Sequence, residues 1–292
     1  MMRDLRYASA RSHQIRDVHR SALLALRRSR CRFLVGGAYA LAHHTGLRAR
    51  PVKDLDLVAQ RRDVPVVREV LEDAGWSTAI AYPHWLAKAV RSGELVDIIF
   101  ASGNGAVHID DAWFAHARPG RLFDVPVAYC PPEEEIWMRS YVMERERYDG
   151  ADVAHLIRSC GATLDWRRLI HRFGSHWRLL LSHLVLFGFV YPNERTRVPS
   201  WVVGELVARL RAEPRDDEPG GDAPVCQGTL LSRLEYQVDV GLWGYADARV
   251  APRGRMTQRQ ASEWTRAGFS DAARRWTRRR ARNSSLSSKP RA

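Results

Sequence analysis

The stretch "FLVGGAYALAHHTGLRARPVKDLDLV", Phe33 to Val58, constrains the fold more than any other part of the chain. An apolar run ends in Gly36-Gly37, a small-residue segment closes at Gly46, and an Arg-rich loop leads into Asp54-Leu55-Asp56. The pattern predicts a strand over 32–35, a helix over 38–44 with Gly46 as its C-terminal cap, and a second strand over 55–59. In a strand, alternate side chains share a face, so Asp54 and Asp56 project together while Leu55 and Leu57 enter the core. Adjacent carboxylates repel unless a cation lies between them, and Mg²⁺ is typically held by one or two carboxylates together with substrate phosphates. Glycine lets backbone approach a ligand closely, and the following helix start offers unpaired N–H groups to phosphate oxygens. A tight turn explains a Gly-Gly pair taken alone, and an exposed strand end explains a lone D-x-D. In this order they point to one site for phosphate and metal.

A third acid extends the pattern. "WLAKAVRSGELVDIIF" reads as two strands joined at Ser92-Gly93, and Asp97 is the only charge inside the apolar run Leu95–Phe100. Period-two alternation puts it on the side of Leu95 and Ile99, and a lone buried carboxylate is costly without a partner. If the two acid-bearing strands are neighbours, three carboxylates converge on one sheet edge. Elsewhere, residues 9–30 carry a loose helical pattern. "DVPVVREVLEDAGW" reads as a helix with Asp63 as N-cap, Pro65 in the first turn and Gly75 after the last. Beyond Pro131-Pro132 the periodicity turns helical, with "PEEEIWMRSYVME" placing acids at a helix start. Asp149 and Asp152 share a helix face beyond it, where support of a site and simple solvation are both open readings.

Composition excludes several classes. The 292 residues are 45% hydrophobic with ten Trp, enough for real cores. The four cysteines form no C-x-x-C pair, which argues against a disulfide framework or a Cys-rich zinc site. No histidine pair has zincin spacing, and a packing or helix-end role is expected for His43 and His44. The charged N-terminus lacks the apolar core of a secretory signal, so a cytoplasmic location is expected. The most apolar run, Trp177 to Pro192, falls short of the about 20 residues that span a bilayer and reads as a buried helix, with no membrane partner. The net charge is +13, and residues 251–292 carry twelve Lys or Arg against Glu263 and Asp271. That basic tail suits RNA, but its Arg-rich composition is also what a GC-rich coding bias produces without any ligand, and that reading weakens the nucleic-acid inference.

With these motifs in hand, the chain resembles the nucleotidyltransferase superfamily with the DNA polymerase β-type catalytic fold. "GGAYALAHHTGLRARPVKDLDLV" is similar to minimal bacterial nucleotidyltransferases, including those of the AbiEii type. The resemblance, which covers roughly Cys31 to Phe100, implies an α+β fold with a small mixed β-sheet core and helices on it over 1–130, followed by a mainly helical domain over 131–210. Composition marks an acidic Pro/Gly linker or loop over 211–225, a small segment of unknown role over 226–273, and an Arg-rich tail over 274–292 expected to be disordered. The resemblance also implies that Gly36 and Gly37 contact an NTP, that Asp54 and Asp56 hold Mg²⁺ with two ions expected, and that Asp97 completes the metal site and helps activate an acceptor hydroxyl. Arg50 and Lys53 would offset phosphate charge, with surface solvation an equal reading for each. Val52 departs from the small hydroxyl residue common two positions before the first aspartate. The implied reaction is transfer of NMP from an NTP to an acceptor hydroxyl on a small molecule, RNA or protein. The alternative is a nucleotidyltransferase-like toxin–antitoxin or RNA-binding module with little turnover and a protein partner.

Overall fold

The computed structural model describes residues 2–47, 54–213 and 224–270, with side chains from Gln14 onward. Arg50, Lys53, the tail 274–292 and most of the 211–225 segment lie outside the described residues. The chain divides into two compact units. The first comprises Met1–Ser102, Val107–Ser140 and Asp149–Arg215; the second comprises Gly103–Ala106, Tyr141–Tyr148 and Asp216–Ala292.

The first unit runs α1 (Met2–Arg28), β1 (Leu34–Val35), α2 (Gly37–Thr45), β2 (Asp54–Val58), α3 (Val64–Asp73), β3 (Ser77–Tyr82), β4 (Leu86–Arg91), β5 (Glu94–Ile99), α4 (Asp111–Ala115), β6 (Arg118–Leu122), β7 (Val125–Tyr129), α5 (Pro132–Ser140), α6 (Gly150–Cys160), α7 (Trp166–Phe173), α8 (Trp177–Val190) and α9 (Ser200–Ala212). Its seven strands form one mixed sheet in the order β3-β4-β5-β2-β1-β7-β6. The expected strand-helix-strand and the hairpin at Ser92-Gly93 are present, and Gly46 caps α2 in the left-handed region at φ 70°. Leu55 and Leu57 of β2 join Val96 and Ile98 of β5, Ala87 and Ala89 of β4, Leu23 and Leu26 of α1, and Val67 and Leu71 of α3 in the main apolar cluster. α1 and α3 therefore cover one sheet face, and alternation leaves Asp54, Asp56 and Asp97 on the other.

Three features differ from the sequence reading. Asp63 makes no capping bond, because a 3₁₀ turn, Arg61–Asp63, brings the chain into α3 with backbone angles already helical. The β6–β7 hairpin turns at Phe123 and Asp124, both with positive φ (51° and 63°). Without glycine or asparagine the sequence carried no hairpin signal there. Arg20 Nε donates to the Phe123 carbonyl at 3.2 Å, and the Phe123 ring meets the Tyr39 ring edge-on at 5.4 Å. The third difference concerns Trp166–Val190, which has the length and composition of a membrane span. It divides into α7 and α8 at Gly174 (φ 50°) and buries one side only. Leu180, Leu184 and Phe187 face inward, whereas Phe189 is 82% exposed.

The second unit is built from short pieces. Met143–Glu144 pairs antiparallel with Arg147–Tyr148, Val225–Cys226 pairs parallel with Ala246–Asp247, and a helix covers Gln237–Gly241. Glu144 accepts from Ser232 Oγ and Arg233 Nε, both at 2.8 Å, and buried Arg249 pairs with Asp247 at 2.6 Å. These pairs hold together segments too short to stabilise one another by strand pairing alone.

Candidate active site

The sheet register brings the predicted acids together. β2 and β5 are parallel neighbours in which Asp56 lies directly opposite Asp97, with Asp54 opposite Leu95. β4 flanks β5 on its other side, and its Lys88 lies opposite Asp97. Across the sheet the row is therefore Lys88, Asp97, Asp56. The Lys88 ammonium donates to both Asp97 oxygens, at 2.6 and 2.8 Å. Burial still holds the Asp97 carboxyl above its ordinary value, with Lys88 opposing the shift. Asp56 is pushed up to about 7, by burial first and then by the charges of Asp54, Asp97 and Glu135, with Arg139 opposing.

Gly36-Gly37 sits against this row. A Cβ on Gly37 would overlap the Asp56 Oδ2 atom and stand 2.6 Å from its Cγ, and the backbone there is left-handed at φ 59°. Only glycine fits both the space and the angle. The Gly36 N–H donates to the Asp56 carbonyl at 2.9 Å, and the Gly37 N–H bonds to the Glu135 carboxylate. Both glycine amides are thus used inside the protein. Their structural role is close approach, leaving the next amides of α2, from Ala38 and Tyr39, as the first-turn donors without an intrahelical carbonyl.

Sequence reasoning missed the support beneath this loop. Arg139 of α5 donates through Nη2 to the Gly37 carbonyl at 2.8 Å, through Nε to Glu135 at 3.0 Å and through Nη1 to Asp152 at 2.9 Å, with Asp149 at 4.0 Å. Asp149 and Asp152 therefore face inward as counter-charges of a buried guanidinium. The acids at the start of α5 are buried too. Arg168 of α7 pairs with Glu133 at 2.5 Å and with Glu134, and Arg172 bridges Glu134 at 3.0 Å to Asp110 at 2.6 Å. The available signal was the i, i+4 spacing of Glu135 and Arg139 and of Arg168 and Arg172. His43 and His44 are packing groups: His43 stacks on Tyr129 at 4.0 Å, and His44 Nε2 lies 2.7 Å from the Cys130 carbonyl. All four cysteines are free thiols.

Among the described residues, no group of three His, Cys, Asp or Glu side chains stands ready-made around a metal position. Asp97 is turned to Lys88. The donors themselves suit a hard cation: they are all carboxylate oxygens, and the raised Asp56 sits among negative charges that a divalent ion would offset.

Among solved structures the fold is similar to the solution structure of the antibiotic-resistance factor ANT(2'')-Ia, at 20% identity over 59% of this chain and 97% of that chain, TM-score 0.43. It is also similar to ANT(2'')-Ia in complex with adenylyl-2''-tobramycin (18%, 61% and 99%, TM-score 0.39). A further likeness is to lincomycin-bound LnuA, a lincosamide antibiotic adenylyltransferase (15%, 45% and 89%, TM-score 0.34). No curated protein matches the chain. The profile of the family described as an uncharacterised nucleotidyltransferase matches residues 6–190, more than half the chain, and the chain belongs to that nucleotidyltransferase family.

Proposed function

We propose that the chain transfers a nucleoside monophosphate from an NTP to an acceptor hydroxyl in a Mg²⁺-dependent reaction. The observation that carries the reading is the contact between Gly37 and the Asp56 carboxylate, with Asp54 two residues away and Asp97 in register beside it. It supports reading the glycine turn and the acids as one site. The acceptor oxygen attacks the α-phosphorus in line, the bond to the bridging oxygen breaks, pyrophosphate leaves, and the hydroxyl proton is released. Asp54, Asp56 and Asp97 would hold the metal, which when bound lowers the pKa of the hydroxyl and offsets phosphate charge. The first turn of α2 would orient the triphosphate through its free amides and positive dipole end. Arg139 and Glu135 keep that turn fixed from below, so positioning falls to a loop held at both its N–H and its carbonyl.

The test is mass spectrometry of products after incubation with all four NTPs, Mg²⁺ and pooled small-molecule and RNA acceptors. The expected product is an acceptor heavier by one nucleoside monophosphate residue, with stoichiometric pyrophosphate. NTP consumption that yields only diphosphate and inorganic phosphate, with no adduct, would contradict the proposal.

A further inference from the structure

We propose that Lys88 is a resident cation of the active site: it holds Asp97 where a divalent ion would, and releases that carboxylate when the ion binds. The inference rests on the metal-and-phosphate reading above. Its basis is geometric. The ammonium stands within hydrogen-bonding distance of both Asp97 oxygens at once, at 2.6 and 2.8 Å, on the side of Asp97 away from Asp56. Both oxygens of the third acid are therefore engaged, which explains why the three carboxylates do not form a ready-made ligand set.

The identity of the cation matters. Lys88 is the only lysine among the described residues, and the buried carboxylates Glu133, Glu134 and Glu135 and the part-buried Asp152 are all paired with arginine. A guanidinium binds a carboxylate through a rigid two-pronged fork and fixes its orientation. An ammonium is a compact, strongly hydrated point charge on a flexible stem, closer in kind to a small metal ion and easier to exchange for one. The Lys88 side chain is 36% exposed, so it has solvent to retreat into, whereas Asp97 is 13% exposed and stays in place. With no metal bound, Lys88 keeps the third acid neutralised; with metal bound, the freed ammonium lies next to the phosphate-bearing site as an added positive charge.

The experiment measures Mn²⁺ binding to the nucleotide-free full-length chain by the electron paramagnetic resonance of free Mn²⁺. Lys88→Met should bind Mn²⁺ more tightly than wild type, on the order of tenfold, because a competing charge is removed from a partly screened site. Lys88→Arg, which grips Asp97 in two-pronged fashion, should bind several-fold more weakly. Adding Asp97→Asn to Lys88→Met should abolish the gain. Unchanged or weaker binding in Lys88→Met, or a gain that survives Asp97→Asn, would overturn the inference while leaving the site assignment intact if Asp56→Asn still loses Mn²⁺. Wild-type binding in Asp56→Asn would instead overturn the site assignment, and this inference with it. Melting temperatures of all variants, measured without metal, confirm that each is folded before its affinity is compared.

Discussion

Replacing Gly37 with alanine tests the close approach between the glycine turn and the acids. The added methyl meets two obstacles. Its backbone must stay left-handed at φ 59°, which costs a residue with a side chain about 1–2 kcal/mol. The methyl also overlaps the Asp56 carboxylate, so Asp56 must leave its rotamer at a further cost of about 0.5–1.5 kcal/mol. Together these predict a loss of about 1.5–3.5 kcal/mol, or a melting temperature lower by about 3–14 °C for a unit of this size. Gly36→Ala is the control. Its φ of −114° is ordinary, and its Cβ would stand 3.0 Å from a Val58 methyl and 3.5 Å from Cys130 Sγ, so a loss of about 1 kcal/mol is expected. Combining Gly37→Ala with Asp56→Ala removes most of the overlap and leaves the backbone cost, so the two changes should couple by about 0.5–1.5 kcal/mol. Differential scanning calorimetry of five proteins, wild type, the Gly36→Ala, Gly37→Ala and Asp56→Ala single variants and the double variant, reads all of this. A Gly37→Ala protein that melts with wild type, or is less perturbed than Gly36→Ala, would refute the reasoning.

Other consequences are equally direct. Arg139→Met strands Glu135 and Asp152 without their cation and should cost about 3–5 kcal/mol, read by urea unfolding; a loss below about 1 kcal/mol would show the network to be dispensable. Asp56 carries a raised carboxyl, about 7 in the folded chain against 3.8 as a free side chain, so folding binds a proton that unfolding releases. That stabilisation is complete below about pH 4 and lost as pH rises through about 7. Asp56→Asn, which cannot ionise, should therefore gain on wild type in metal-free buffer between about pH 5 and pH 8; a stability difference that does not change over that range would contradict the shift. Asp110→Ala removes both the Ala112 N–H cap of α4 and the two-pronged partner of Arg172, and should destabilise by about 2 kcal/mol in thermal melts.

The parts of the fold legible in the sequence are those governed by local rules. Gly46 at φ 70°, the Ser92-Gly93 turn and the alternation around Asp54, Asp56 and Asp97 each follow from two or three neighbouring residues. What stayed hidden depends on distant partners. Phe123 and Asp124 adopt an unfavoured turn against Tyr39, 84 and 85 positions earlier in sequence, and nothing local announces it. Glu133, Glu134 and Glu135 read as acids at a helix start; their burial is tolerable because Arg168 and Arg172 arrive from α7 to pair with Glu133 and Glu134, and Arg139 pairs with Glu135. Lys88 escaped notice for the same reason. Its partner sits across a strand pair, and only the register shows that it faces Asp97. The Gly-Gly pair is expected from the sequence to face a phosphate, but its amides are committed to Asp56 and Glu135, a detail that the sequence could not contain.

The central claim is nucleotidyl transfer by the Asp54–Asp56 pair, and isotope labelling tests it most directly. With an acceptor present, label on the α-phosphate of the NTP should move to the acceptor while label on the γ-phosphate leaves in pyrophosphate, and Asp54→Ala and Asp56→Ala should each abolish the transfer. Undiminished α-label transfer in both variants, or γ-label appearing on the acceptor, would contradict the account.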